Sequence, residues 1–175
     1  MRRSAFTLVE LLVVIAILGL LSTVAVVATN SARMNARNTQ RKANMMQISK
    51  ALELYYQDNN NTYPSTSGAW FSVTTGWGTA KSDSGAGGWI PNLAPTYMAT
   101  LPRDPNTNRV NPNSSYGPCQ TTATSNAFVY RSDGVDYKVI ANCLPEGTLS
   151  GTDPFLDPPR PTYNWAVYTP GASSW

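Results

Sequence analysis

The sequence predicts an α+β chain: a long N-terminal α-helix, with a transmembrane half and an amphipathic half, packed on a small antiparallel β-sheet head with long loops. Three observations predict it. Phe6 to Ala28 is an almost unbroken apolar run, and a spanning helix needs roughly 20 such residues. Thr29 to Asp58 contains neither Pro nor Gly, and Met45, Ile48, Leu52 and Tyr55 recur at steps of three and four, the apolar stripe of a helix. Farther on, Asn126–Arg131 and Tyr137–Asn142 read as two strands around Ser132-Asp133-Gly134-Val135-Asp136, where Gly134 supplies the positive φ that a tight turn needs.

The apolar run holds one charge, Glu10. A carboxylate near the bilayer centre costs about 2.5–3.5 kcal/mol, and less toward a helix end. No basic residue lies within the run to offset it; Arg2, Arg3 and Arg33 flank it. Two readings stand open. Glu10 is shallow enough to snorkel to the headgroups, or it meets an amine created by cleavage between Ala5 and Phe6, in its own chain one helical turn away or in a neighbouring chain.

Ser4-Ala5-Phe6-Thr7-Leu8-Val9-Glu10-Leu11-Leu12-Val13-Val14-Ile15-Ala16-Ile17-Leu18-Gly19 resembles the signal of type IV prepilins and of the pseudopilins of type II secretion. The family pattern is a short basic leader, a small residue before the cut, Phe-Thr-Leu-Val-Glu and an apolar helix. The resemblance covers about the first 50 residues. It implies a pilin-like fold, cleavage after Ala5 by a prepilin peptidase that also N-methylates Phe6, and Glu10 pairing with the N-terminus of an adjacent subunit during assembly. Two departures stand out. Ala5 occupies a position usually held by Gly, and no Pro precedes Pro64, so the kink a proline would impose on the helix is not encoded. The rival reading is an ordinary secretory signal cut after Thr23-Val24-Ala25. The charge within the run and the length of the run argue against it.

The resemblance and the residue pattern together divide the chain into a leader at 1–5, a transmembrane and polymerisation helix at 6–28, its amphipathic continuation at 29–58, and a head with a Pro-rich tail at 59–175. A helix from Phe6 to Asp58 would run roughly 80 Å at 1.5 Å per residue. Asp58-Asn59-Asn60-Asn61 ends it. The stretch to Tyr63-Pro64 and the later Leu93-x-Pro95-x-Tyr97 with Leu101-Pro102-Arg103-Asp104-Pro105 also look like pilin and pseudopilin segments. Arg33, Arg37 and Arg41 form a second stripe at spacing four, read as a solvated face or as a contact to acidic groups on neighbouring subunits.

Charge and composition narrow the function. The chain's +3 falls to +1 without Arg2 and Arg3. From residue 59 on, six cations (Lys81, Arg103, Arg109, Arg131, Lys138, Arg160) face seven acids (Asp83, Asp104, Asp133, Asp136, Glu146, Asp153, Asp157), so a nucleic-acid surface on the head is not supported. Histidine is absent, which excludes Ser-His-Asp and Cys-His catalysis and the usual His-containing zinc sites. With no phosphate loop and no acid pair of catalytic spacing, an enzyme is not expected. Cys119 and Cys143 lie beyond the anchor and suggest one disulfide in an oxidising compartment. Asp104-Pro105-Asn106-Thr107-Asn108 alternates oxygen ligands as a calcium loop does, but Arg109 stands where the turn glycine belongs and no bidentate acid follows. Calcium is the one cofactor considered, with Asp104, Asn106, Asn108, Asp133 and Asp136 as its candidate ligands.

The function expected is a structural subunit of a type IV pilus or a type II secretion pseudopilus. The resemblance implies a bacterial inner-membrane precursor, single-pass with its head outside the cytoplasm. Its implied partners are further copies of itself, other pilins or pseudopilins, the prepilin peptidase and methyltransferase, and an inner-membrane assembly platform. The alternative is a minor pilin-like protein that binds glycan or DNA. An exposed cluster drawn from Trp70, Trp77, Trp89, Trp165 and Trp175 would favour glycan.

Overall fold

The computed structural model describes residues 7–122 and 126–175, and for 23–28 the backbone alone. Its elements are α1 (Leu8–Asp58), β1 (Phe71–Ser72), β2 (Thr79–Ala80), α2 (Gly117–Thr121), β3 (Ala127–Ser132), β4 (Tyr137–Asn142), β5 (Trp165–Tyr168) and a 3₁₀ turn at Pro170–Ala172. The chain divides into two compact units, one up to Arg37 and one from Asn38 onward.

In the first unit the helix has no apolar stripe. Leu8, Val9, Leu11, Leu12, Val13, Val14, Ile15, Ile17, Leu18, Leu20 and Leu21 are all exposed. A helix that is apolar all round is built to be covered by lipid or by other helices. Among the described residues, no helix is long and apolar enough to cross a membrane.

In the second unit the stripe is buried as its spacing requires. Met45, Ile48 and Leu52 lose all solvent contact and Tyr55 packs beside them. α1 ends where the sequence runs to asparagine. Asn60 and Asn61 take left-handed φ of 53° and 57°, which Asn tolerates better than most residues. The Asn59 side-chain amide donates to the Tyr55 carbonyl (2.8 Å).

The helix stripe meets a five-stranded sheet of order β2-β1-β3-β4-β5. Its pairs are antiparallel except β1 with β2, which run parallel. The sheet is therefore mixed, a correction to the all-antiparallel expectation. Strands of two residues carry too little pattern for their direction to be read from sequence. The β3–β4 hairpin follows the sequence reading closely. Gly134 has φ +100°, and the Asp133 carboxylate accepts from the amides of Val135 and Asp136 (both 2.9 Å).

Period-two alternation sorts the sheet's side chains. Phe128, Tyr130, Tyr137, Val139, Ala141 and Trp165 join the helix stripe in the main core. Val129, Ile140 and Ala166 point to the other face, where Trp70, Trp77 and Tyr168 cover them. Lys138 lies on that second face with no solvent exposure and pairs with Asp157 at 2.7 Å. Asp157 is held in turn by Arg160 at 2.6 Å.

Cys119 in α2 and Cys143 just beyond β4 form a disulfide, with Cα atoms 5.3 Å apart. The bond closes a loop of 24 residues, so replacing both cysteines by serine should cost about 3 kcal/mol in the chain-entropy account. The check is a urea midpoint of the full chain in detergent, with and without the substitution.

Burial raises the phenols of Tyr55, Tyr63, Tyr130, Tyr137 and Tyr163 above their usual range. The folded chain holds these protons where the unfolded chain has lost them. Their stabilisation is complete below about pH 10 and is lost as pH rises beyond it. Lys138 acts the opposite way. Burial lowers its pKa, against the pull of Asp157, so its share of stability rises with pH until the unfolded lysine also titrates. Five phenols against one amine predict a urea midpoint that holds to about pH 10 and falls from about pH 10 to about pH 12.

Candidate processing and assembly segment

The described part of the N-terminal segment begins at Thr7. Ala5 and Phe6, the expected processing residues, lie outside the described residues. Thr7 and Glu10 form a capping box. The Thr7 amide donates to Glu10 Oε2 at 2.8 Å, the Thr7 hydroxyl donates to the same oxygen at 2.9 Å, and the Glu10 amide donates to Thr7 Oγ1 at 3.3 Å. The cap satisfies amides that a helix start leaves without partners, and a carboxylate in the first turn is favoured by the helix dipole. Thr-x-x-Glu before an apolar run is the sequence signature of this cap, a fate for Glu10 distinct from both snorkelling and pairing with an amine. Glu10 thus has a local role as well as any role in assembly.

The arginine stripe is corrected at Arg41. This side chain has no solvent exposure, and its partners are in the head of its own chain. Arg41 Nε meets Asp104 Oδ2 at 2.6 Å and Nη1 meets Glu146 Oε1 at 2.8 Å. Asn38 completes the joint: its amide donates to the Glu146 carbonyl (2.8 Å), and its side-chain oxygen accepts from the Glu146 amide (3.1 Å) and from Arg41 Nη1 (2.9 Å). One turn on, Lys42 meets Asp153 at 2.6 Å and lies over the Trp165 ring, 4.5 Å from its centroid. The second unit's stretch of α1 is therefore pinned to the head by an ionic joint at one end and an apolar stripe at the other.

Asp104 accordingly serves Arg41. Its Oδ1 also accepts from the Asn106 amide at 2.7 Å. Asn108 lies at the start of β3, its amide donating to the Asn126 carbonyl (3.1 Å). Asp133 and Asp136 occupy the turn at the other end of that strand. Six strand residues span about 20 Å, so the structure does not bring the five candidate calcium ligands together. Among the described residues, no group of three or more acidic or thiol side chains could hold a metal.

The tryptophans do not make an open cluster. Trp89 and Trp165 are in the main core. The others stack with arginines. Arg160 lies 5.0 Å from the Trp77 ring, Trp77 stacks on Trp70 at 5.4 Å, and Arg131 lies 5.7 Å from Trp70 and 4.6 Å from Trp175. Arg160 and Lys138 then bind the Trp175 main-chain oxygen at 2.7 and 2.9 Å. The faces of Trp70 and Trp77 that a sugar would need meet guanidinium groups and one another, and Trp175 gives a face to Arg131.

Residues 1–26 match the family model described as the prokaryotic N-terminal methylation motif. The chain carries a prepilin signal. This signal is the one shared by type IV pilins and pseudopilins, and over these residues it supports a type IV pilin-like prepilin. A prepilin signal implies, in general, export with a membrane anchor, processing by a prepilin peptidase and polymerisation with other pilins. No curated protein and no solved structure matches the chain. With its long helix followed by a small mixed sheet, the fold is pilin-like.

Proposed function

We propose that this prepilin is a filament subunit, of a type IV pilus or a type II secretion pseudopilus. It is made as a bacterial inner-membrane precursor with the head outside the cytoplasm. The leader 1–5 is removed between Ala5 and Phe6, Phe6 is methylated, and residues 6–28 become the polymerisation helix. One observation carries the reading. In a chain with a prepilin signal, the helix from Leu8 is apolar all round and uncovered, with a single carboxylate in its first turn. Such a helix is satisfied by lipid before assembly and by its neighbours' helices afterwards.

Glu10 gives the assembly its register. An uncompensated carboxylate buried among helices costs several kcal/mol. The amine of Phe6 in an adjacent subunit would offset that cost, and only in the axial position that brings the two together. The Thr7–Glu10 cap keeps the carboxylate at the helix start, where such an amine would arrive.

The reading is tested by shearing cells that do or do not make prepilin peptidase and sedimenting the released material. The chain should sediment only from cells with the peptidase. Equal release without it would overturn the proposal.

A further inference from the structure

We propose that the tip of the β3–β4 hairpin is a docking knob that seats in an apolar groove on the head of a second copy of this chain. The inference rests on the filament reading above and names a contact between heads within it.

The knob is Val135, the most exposed large apolar side chain of the head at 74%. It is not a floppy loop residue. The Asp133 carboxylate holds its amide, Ser132 Oγ accepts from the Gly134 amide at 3.0 Å, and the Gly134 carbonyl accepts from the Tyr63 amide at 2.9 Å. A fixed tip that presents a bare valine to water loses little conformational freedom on docking.

The groove is about 510 Å³ and is lined by Met46 and Lys50 of α1, by Tyr137, Val167 and Tyr168 of the sheet, and by Phe155. Its walls are mostly apolar, with Met46 half exposed. Lys50 is its cation, and it is exposed. The knob carries two carboxylates beside Val135, at Asp133 and Asp136. The turn amides of Asp136 and Val135 hold the Asp133 carboxyl below its ordinary range and so keep it charged. An acid-flanked valine and a lysine-edged apolar groove are complementary in polarity and in charge.

The groove's Tyr137 follows directly on the knob's Asp136, so the two adjoin on one head. Seated one way round, knob into the next copy's groove, the contact is heterologous, and a heterologous contact that does not close into a ring propagates as an open filament. A self-complementary patch would stop at a dimer. This is why the occupant is a second copy and why the contact suits a polymer.

The test uses full-length chains with Val135→Cys, Met46→Cys, or both, assembled in cells and oxidised after shearing. Cys119 and Cys143 are already bonded to each other. The double variant should give a ladder of dimers, trimers and longer species on a non-reducing gel, and neither single variant should. Filaments of the double variant that yield no ladder, or that stop at dimers, overturn the knob while leaving the filament reading intact. Absence of filaments even from the unaltered chain overturns both. If the cysteines themselves block assembly, a charge exchange decides. Val135→Lys sets a cation against Lys50 and should lower filament yield by up to about five-fold per contact. Adding Lys50→Asp should restore it, and failure to restore contradicts the proposal.

Discussion

Arg41→Met should destabilise the head by about 3–5 kcal/mol, the cost of breaking a buried ion pair by removing one partner. Asp104 and Glu146 both point at this guanidinium, and the three side chains are at most 3% exposed. Without Arg41, both carboxylates lose the cation they share in a low-dielectric joint. Methionine fills much of the volume, so packing is a small part of the loss. Adding Asp104→Asn and Glu146→Gln should recover part of it, because the amide oxygens can still accept from Asn106 and Asn113 while the buried charge is gone. Lys42→Met is the contrast. Its pair with Asp153 is a third exposed on the lysine side, and such pairs contribute up to about 1 kcal/mol. Urea unfolding of the full chain in detergent measures all three. A loss for Arg41→Met no larger than that for Lys42→Met would mean that the joint does not hold the head to its helix.

That joint also shows what the sequence disclosed and what it hid. The stripe Met45, Ile48, Leu52 and Tyr55 was legible because apolar residues at helical spacing have one economical fate. Arg41 sits one turn before Met45 on the same stripe. Its spacing from Arg33 and Arg37 drew it instead into a solvated face, since a charge is ordinarily read as exposed. The two carboxylates that explain its burial, Asp104 and Glu146, are 63 and 105 residues away, and nothing local announces them. The hairpin was legible through Gly134 and its flanking strands. The outer face of the sheet was not. Trp70 and Trp77 fall in a Ser/Thr/Gly-rich stretch that reads as a long loop with room for one short strand at Trp70–Thr74, where β1 lies, and they cover the sheet through stacking with Arg131 and Arg160. The prepilin segment was legible from its motif, though the cap between Thr7 and Glu10 passed unread beside the more conspicuous charge.

The second large effect is expected at Glu10. Glu10→Ala should reduce sheared filaments at least tenfold, which corresponds to about 1.4 kcal/mol per subunit added. Head stability should not change, because the hydrogen bonds described for Glu10 are all with Thr7. Alanine removes the cap and the charge together, so Glu10→Gln is the deciding variant. Glutamine can keep the capping box and cannot form an ion pair with an amine. Loss of filaments in both variants assigns the effect to the charge. Filaments in Glu10→Gln alone would assign it to the cap, and the proposed pairing with a neighbouring N-terminus would fall.

The most direct test of the account is the mature N-terminus. Filaments sheared from the native cell are analysed by intact mass and N-terminal sequencing. The account predicts a chain that begins at Phe6, carries a methyl group on its amine and has lost Met1 to Ala5. A chain beginning near Val26 would mean that the apolar run is an ordinary secretory signal, removed before any filament could form from it.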